Sequence, residues 1–322
     1  MPRLVAMNVA DGSVLWRYAP SEWMTIPPGA FLAGGVIVVG VLAEQGTEVV
    51  GLDAETGAER WRRPVEQASQ LVAVSGRVAI VENLLPPAEP STIITADDRG
   101  RFPRPMLTTR LTGYDRATGE VAWTSEVTRP GDLGDSNGAA AGDDTVVIAL
   151  PAVVAVDDTT GEQLWTATAD LGDAAVGHIA DDVVVMGGQD DDTVALSLAT
   201  GDKLWAKPGS PPYDDVWAVA DGAVYVIDDG ELVAYALADG RERWRTPVDP
   251  DSYTWPWIAV DDSVYTMWWN LDARDNTDGS IRWTTDHPTG ASPIGEAPRM
   301  VSIAAAGTSL LVTYSSGRLD GD

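Results

Sequence analysis

Apolar residues in this chain alternate with polar ones in short runs, and helical periodicity is absent. Residues 215–245 show the pattern. DVWAVADG is a short apolar run ending in a turn, AVYVIDDG is rich in Val and Tyr, ELVAYALADG alternates and turns, and RERW closes the unit. Turn signals return roughly every 8–12 residues, which predicts an all-β chain of short strands. Four strands make up each unit and are labelled A to D.

One peptide recurs seven times: AMNVADGSVLW (6–16), GLDAETGAERW (51–61), GYDRATGEVAW (113–123), AVDDTTGEQLW (155–165), ALSLATGDKLW (195–205), AYALADGRERW (234–244) and ARDNTDGSIRW (273–283). Every copy opens on Ala or Gly and closes on a Trp four residues after a Gly: Trp16, Trp61, Trp123, Trp165, Trp205, Trp244 and Trp283. These Trp residues are 45, 62, 42, 40, 39 and 39 positions apart. A unit of about 40 residues matches a four-stranded propeller blade, and the recurrent peptide then supplies strand C, a turn and strand D.

The peptide has a local logic. Thr56-Gly57, Asp11-Gly12 and Asp239-Gly240 offer the positive φ of a tight hairpin turn. Asn8, Asp53, Asp115, Asp157 and Asp275 precede their Gly by four and are placed to cap backbone N–H groups, whereas Ser197 and Ala236 depart from this. The small first residue is expected to allow close approach between blades. The Trp is expected to pack across the seam between them.

The ends complete a count. Residues 299–308 and 309–317 read as strands A and B, and residues 3–17 as C and D. Joined, they predict a single domain over 1–322: a seven-bladed β-propeller of four-stranded antiparallel blades, closed by strands from both termini. The alternative is an eight-bladed propeller truncated at one end.

The motif resembles the tryptophan-docking motif of the pyrroloquinoline-quinone-type propellers, roughly Ala-x-Asp-x-x-Thr-Gly-x-x-x-Trp, and the resemblance covers nearly the whole chain. It implies a toroid of blades around a central channel, with the docking Trp residues locking neighbours.

Positions that break the repeat are the candidates for function. An insertion, 86–110, lies between strands B and C of the blade ending at Trp123, and per-repeat insertions often map to a binding face. It carries Arg99, Arg101, Arg104 and Arg110, read either as a grip on an anionic ligand or acidic partner, or as cations paired with acids such as Asp97 and Asp98. Trp23, Trp217, Trp255, Trp257, Trp268 and Trp269 lie outside the motif, and the last five concentrate in the last two complete blades. Aromatic plates of this kind suit a sugar ring, a quinone or a protein hot spot, or pack between blades. Acids gather at Asp143-Asp144, Asp181-Asp182, Asp221 and Asp261-Asp262, which read as A–B turns. Asp190, Asp191 and Asp192 lack the spacing of a calcium loop, so no metal site is expected. The two histidines are His178, in a strand A, and His287, which beside Asp286 offers a weak general-base position.

Composition narrows the classes. A formal charge of −28 with 49 acids argues against nucleic acid and anionic lipid as partners. There are no cysteines, which excludes disulfides and thiolate chemistry. No apolar run of about 18 residues is present, so no membrane insertion is expected. The first residues, MPRLVAMNVADG, lack an apolar h-region, so no signal peptide is expected within them. Localisation is read as cell envelope or secreted if an upstream signal or anchor was removed, and otherwise as cytoplasmic. No P-loop, dinucleotide fingerprint or G-x-S-x-G turn occurs.

The resemblance also implies an enzyme class. Family alcohol dehydrogenases hold pyrroloquinoline quinone between a Trp floor and an adjacent-cysteine disulfide, beside Ca²⁺ ligated by Glu, Asn and Asp. This chain has no Cys and is much shorter, so the clamp is missing. The family has non-enzymatic members too: a lipoprotein propeller of outer-membrane barrel assembly and propellers fused to bacterial receptor kinases. The reading is therefore a non-catalytic, monomeric scaffold without cofactor that recognises a protein or a carbohydrate-like ligand through the insertion-bearing face. Binding residues are expected among Trp217, Trp255, Trp257, Trp268, Trp269, Arg101, Arg104 and His287. The alternatives are a quinone-dependent dehydrogenase with Ca²⁺ and a carbohydrate-active propeller.

Overall fold

The structure is a computed structural model. It describes residues 4–7, 14–18, 23–25, 35–43, 46–66, 69–85, 106–130, 138–149, 152–167, 171, 175–188, 192–209, 218–248, 255–260, 262–267, 270–286, 299–306 and 309–315.

All regular elements among the described residues are strands. The first hairpin pairs β1 (Leu4–Met7) with β2 (Val14–Tyr18). Six four-stranded sheets follow, each a meander in chain order. They are β3–β6 (Trp23–Thr25, Val36–Ala43, Gly46–Asp53, Glu59–Pro64), β7–β10 (Ser69–Val74, Val78–Leu84, Met106–Asp115, Val121–Pro130) and β11–β14 (Ala139–Ala141, Thr145–Ala149, Val153–Asp157, Gln163–Thr166). Next come β15–β18 (Ala175–Ala180, Val183–Gly187, Asp192–Ser197, Lys203–Pro208), β19–β22 (Ala218–Ala220, Ala223–Asp228, Glu231–Ala236, Glu242–Pro247) and β23–β26 (Trp255–Val260, Ser263–Met267, Asn270–Asp275, Ile281–Asp286). A last hairpin pairs β27 (Arg299–Ala306) with β28 (Ser309–Ser315). The strand assignment A to D within each unit is thus observed.

The recurrent peptide is a bulged hairpin. In every copy the small first residue pairs directly with the Trp, as in Gly51↔Trp61 and Ala155↔Trp165, and the register slips at the residue before the Trp. The bulge leaves that residue outside the ladder and re-aims the strand. It explains why Leu15, Leu164 and Leu204 are exposed although they sit beside a buried Trp. The pairing also corrects one expectation. The small residue makes room for the indole of its own hairpin: a Cβ on Gly51 or Gly113 would collide with Trp61 or Trp123.

The strands divide into two units, Met1–Ile179 with Ser197–Asp202, and Ala180–Leu196 with Lys203–Asp322. In the first, apolar clusters join successive sheets: Val39, Val50 and Leu52 with Trp16; Val38, Leu71 and Val81 with Trp61; and Ile80, Val154 and Val156 with Trp123. In the second, Val185, Val226 and Tyr235 gather around Trp205, and Tyr225, Leu232 and Val264 around Trp244. Each such aliphatic side chain, fully buried, contributes on the order of 1.5–3 kcal/mol. The core therefore lies in the seams between sheets, with one Trp in each.

Candidate functional site

The hairpin turn is built by its acid. Asp53 Oδ1 accepts from the backbone N–H groups of Glu55 (3.0 Å) and Thr56 (2.8 Å) and from the Thr56 hydroxyl (2.8 Å). Asp115 and Asp157 repeat the arrangement on Thr118 and Thr160. Arg60 adds a bidentate contact to Asp53. These bonds, Arg60 first, pull the Asp53 carboxyl down to about 2.

The finished turn receives the Trp of the preceding repeat. The indole N–H donates to a backbone carbonyl three residues before the turn Gly: Trp16 to Ala54 (3.0 Å), Trp61 to Arg116 (2.9 Å), Trp123 to Asp158 (2.9 Å), Trp165 to Leu198 (2.7 Å), Trp205 to Leu237 (2.8 Å) and Trp244 to Asn276 (2.8 Å). The ring lies on the Gly itself. Gly119 has φ +69° and a Cβ there would stand 2.5 Å from Trp61 Cδ2, so both conformation and space demand Gly. The six docked Trp residues are 7–8% exposed, while Trp283 is 44% exposed and rests on Tyr265 of its own sheet.

The residue that lends this carbonyl has a second task, which the sequence reading missed. In three copies its polar side chain bonds at A–B turns: Asp158 and Asn276 reach that of the preceding sheet, and Arg116 reaches Val36 of the preceding sheet and Ser75 of its own. Arg116, 3% exposed, donates to the Val36 carbonyl through Nε (2.9 Å) and Nη2 (2.6 Å) and to the Ser75 carbonyl through Nη1 (3.1 Å). Burial lowers its pKa from the ordinary value. Asp158, fully buried, accepts from Ser75 Oγ (2.9 Å) and Arg77 Nη1 (2.8 Å). Asn276 donates to Asp221. The available signal was the changing polarity of one position inside an otherwise uniform motif.

At the root of the insertion the repeat is broken. Its last five residues, 106–110, are strand. They lengthen β9, and β10 with it, to ten residues, against four to eight in the corresponding strands of the other four-stranded sheets. Arg110 is paired, but with acids far off in sequence: Nη1 meets Glu66 (3.2 Å) and Nη2 meets Glu126 (3.1 Å). Beside this triad, between sheet β7–β10 and the Val65–Glu66 segment that leads into it, lies a cavity of about 310 Å³. Val65, Val81 and Val121 line it together with three hydroxyl-bearing residues, Thr112, Tyr114 and Thr124. None of those three hydroxyls has a hydrogen-bond partner among the described residues. Burial, then the charge of Glu66, raises the Tyr114 pKa, so the phenol stays neutral.

The predicted binding residues fall elsewhere. Arg101, Arg104, Trp217, Trp268, Trp269 and His287 lie outside the described residues, as do Arg99, Asp190 and Asp191. Trp255 and Trp257 are placed in β23, with side chains outside the description. His178 stands exposed in β15, although protein atoms around the ring still lower its pKa by desolvation. Among the described residues no group of three or more His, Cys, Asp or Glu is placed to hold a metal ion, and no helix is long and apolar enough to cross a membrane.

The sequence profile of the family described as outer membrane protein assembly factor BamB, a PQQ-like repeat family, matches residues 1–101, 108–267 and 213–321. No curated protein matches the chain in sequence. Among solved structures, BamB from Moraxella catarrhalis is similar, with TM-score 0.63 and 18% identity over 95% of this chain and 86% of that one. The quinohemoprotein alcohol dehydrogenase ADHIIG from Pseudomonas putida HK5 reaches TM-score 0.58 at 15% identity, covering 98% of this chain and 67% of the enzyme. The C-terminal WD40 domain of Sif2 reaches 0.56 at 14% identity over 97% and 86%. An enzyme, an assembly factor and a WD40 domain share this fold, so the likeness establishes four-stranded propeller blades and leaves chemistry to the site.

Proposed function

The chain belongs to the PQQ-like β-propeller repeat family of BamB type, and from that premise we propose that it is a non-catalytic scaffold that binds a protein through the insertion-bearing face. BamB is named an assembly factor for outer membrane proteins, a role exercised on protein partners. The observation that carries the reading is the platform of β9 and β10, ten residues each, from which the insertion springs. Arg101 and Arg104 in the insertion are its proposed contacts, and the Trp residues of the last two blades are a second proposed set. No cofactor takes part.

A photo-crosslinking residue at Arg101 or Arg104, introduced in the source cells, tests the face. A protein captured there and not from Thr118, on the C–D turn, supports the reading, and equal capture from both removes it. Pyrroloquinoline quinone with Ca²⁺ should leave melting and absorbance unchanged, and a shift in either argues for the dehydrogenase alternative. Placement at the cell envelope belongs to the same proposal, and recovery of the protein from the cytosol after fractionation argues against it.

The proposal includes a ring of seven blades in which β1–β2 and β27–β28 share one blade. Six docked Trp residues support it, because the N-terminal copy offers a seventh turn, Val9–Gly12, for Trp283. In a closed ring Trp283→Ala destabilises as much as Trp205→Ala, by about 3–5 kcal/mol. In an open one it costs far less.

A further inference from the structure

The cavity beside Arg110 occupies positions that the seams of Trp16 and Trp123 fill with hydrocarbon. The two residues flanking the Trp-paired small residue face the preceding sheet. They are Val50 and Leu52, and Val154 and Val156, in two other copies, all fully buried; a third has Val233 and Tyr235, whose hydroxyl donates to the Pro208 carbonyl, and β25 has Asp272 and Arg274. In β9 they are Thr112 and Tyr114, both half-buried. Relative to the seams of Trp16 and Trp123, this exchange places hydroxyls with no hydrogen-bond partner among the described residues where aliphatic packing would stabilise the seam, a local cost of the kind that functional sites carry.

We propose that this seam cavity binds an uncharged polyhydroxylated ring, a single monosaccharide unit. The chemistry around it is balanced. Arg110 offers donors; Glu66 and Glu126, 61% and 50% exposed, offer acceptors with lone pairs left over. An anion meets two carboxylates and a cation meets a guanidinium, whereas a neutral polyol uses both. Thr112, Thr124 and Tyr114 each donate and accept, matching hydroxyls that do the same. The Tyr114 ring and three valines supply the apolar surface that the C–H face of a sugar requires. A volume of about 310 Å³ stands at the lower end of ligand sites and accommodates one ring, not a chain. The inference is independent of the protein-binding reading.

Saturation-transfer NMR of the full chain with glucose, galactose and N-acetylglucosamine at millimolar concentration tests it. The expected result is transfer to the ring protons of at least one sugar. The double variant Thr112→Val/Tyr114→Leu gives this seam the residue types of the Trp16 seam, Val50 and Leu52. It should weaken binding at least about tenfold while melting at or above the wild-type temperature, so the loss is not one of folding. Arg110→Met, a single change at the rim, should weaken binding as well and serves if the double variant misfolds. No transfer to any of the three sugars overturns the proposal, as does transfer unchanged by these variants. Transfer to acetate or butylamine that exceeds that to the sugars also overturns it, in favour of charge recognition.

Discussion

Two neighbouring seams of the first unit share one backbone design and differ in almost every side chain that fills it. In the seam of Trp61, between β3–β6 and β7–β10, the indole meets the Arg116 carbonyl, the Arg116 guanidinium binds Val36 and Ser75, and Thr112 and Tyr114 border a cavity. In the seam of Trp123, between β7–β10 and β11–β14, the indole meets the Asp158 carbonyl, the Asp158 carboxylate binds Ser75 and Arg77, and Val154 and Val156 close the space. The docking bond uses a backbone acceptor, so it makes no demand on the side chain of the residue that lends it. That freedom lets one residue hold the repeat constant and still give each seam its own chemistry.

If docking is the shared element, its loss should cost the same in both seams. Trp61→Ala and Trp123→Ala are each expected to lose about 3–5 kcal/mol by urea unfolding. A tolerant Trp61 would mean that the polar seam is held mainly by Arg116. The side-chain clamps should then separate the seams. Arg116→Met leaves two buried carbonyls without their donor and should cost about 2–4 kcal/mol. Asp158→Ala should cost less, about 1–3 kcal/mol, because Arg77 is half exposed and keeps Asp144. The reverse order would show that the carboxylate, not the guanidinium, is the stronger clamp.

What the sequence disclosed follows the reach of each interaction. Asp53, Asp115 and Asp157 cap residues two or three positions away, so spacing alone reveals them. The role of Trp as a seam residue is legible from recurrence. Its acceptor is not, because a carbonyl has no letter in the sequence. Of the two readings open for Arg110, the structure shows pairing, but with Glu66 in the β6–β7 connection and Glu126 on β10, neither of which is a neighbour in sequence. The cavity leaves a trace only when the copies are aligned, as Thr and Tyr where the others mostly carry Val and Leu.

Gly119 and Gly51 meet different atoms of the same Trp61, Cδ2 and Cε3 for the first and Cε2 and Nε1 for the second, and sharpen the contrast between docking and accommodation. Gly119→Ala forces a left-handed φ on Ala as well as a clash with the indole, and is expected to cost about 1–3 kcal/mol. Gly51→Ala clashes too, but Ala155, Ala195, Ala234 and Ala273 occupy the equivalent position in other copies, so the indole has a known way to yield. Its melting temperature should fall less than that of Gly119→Ala. Equal losses would mean that the Trp61 ring is fixed by the cavity side of its seam.

The smallest effect is that of the turn acids, and its sign is set by their depressed pKa. Asp53, held at about 2 chiefly by Arg60, and Asp157, lowered chiefly by the Thr160 N–H and hydroxyl, favour the folded state only while ionised. Their contribution is complete above the unfolded carboxylate value of about 3.9 and fades as pH falls through the folded value. In a chain with 49 acids, protonating other carboxylates relieves repulsion over the same range, so a bulk melting curve mixes two opposite trends. Carboxyl NMR separates them, with Asp53 expected to titrate near 2. In the Arg60→Met variant the midpoint should rise toward the ordinary carboxylate range while Asp157 stays put. A midpoint that does not move would assign the shift to the Thr56 bonds alone, and would make the turn of the Trp16 seam chemically the same as that of the Trp123 seam.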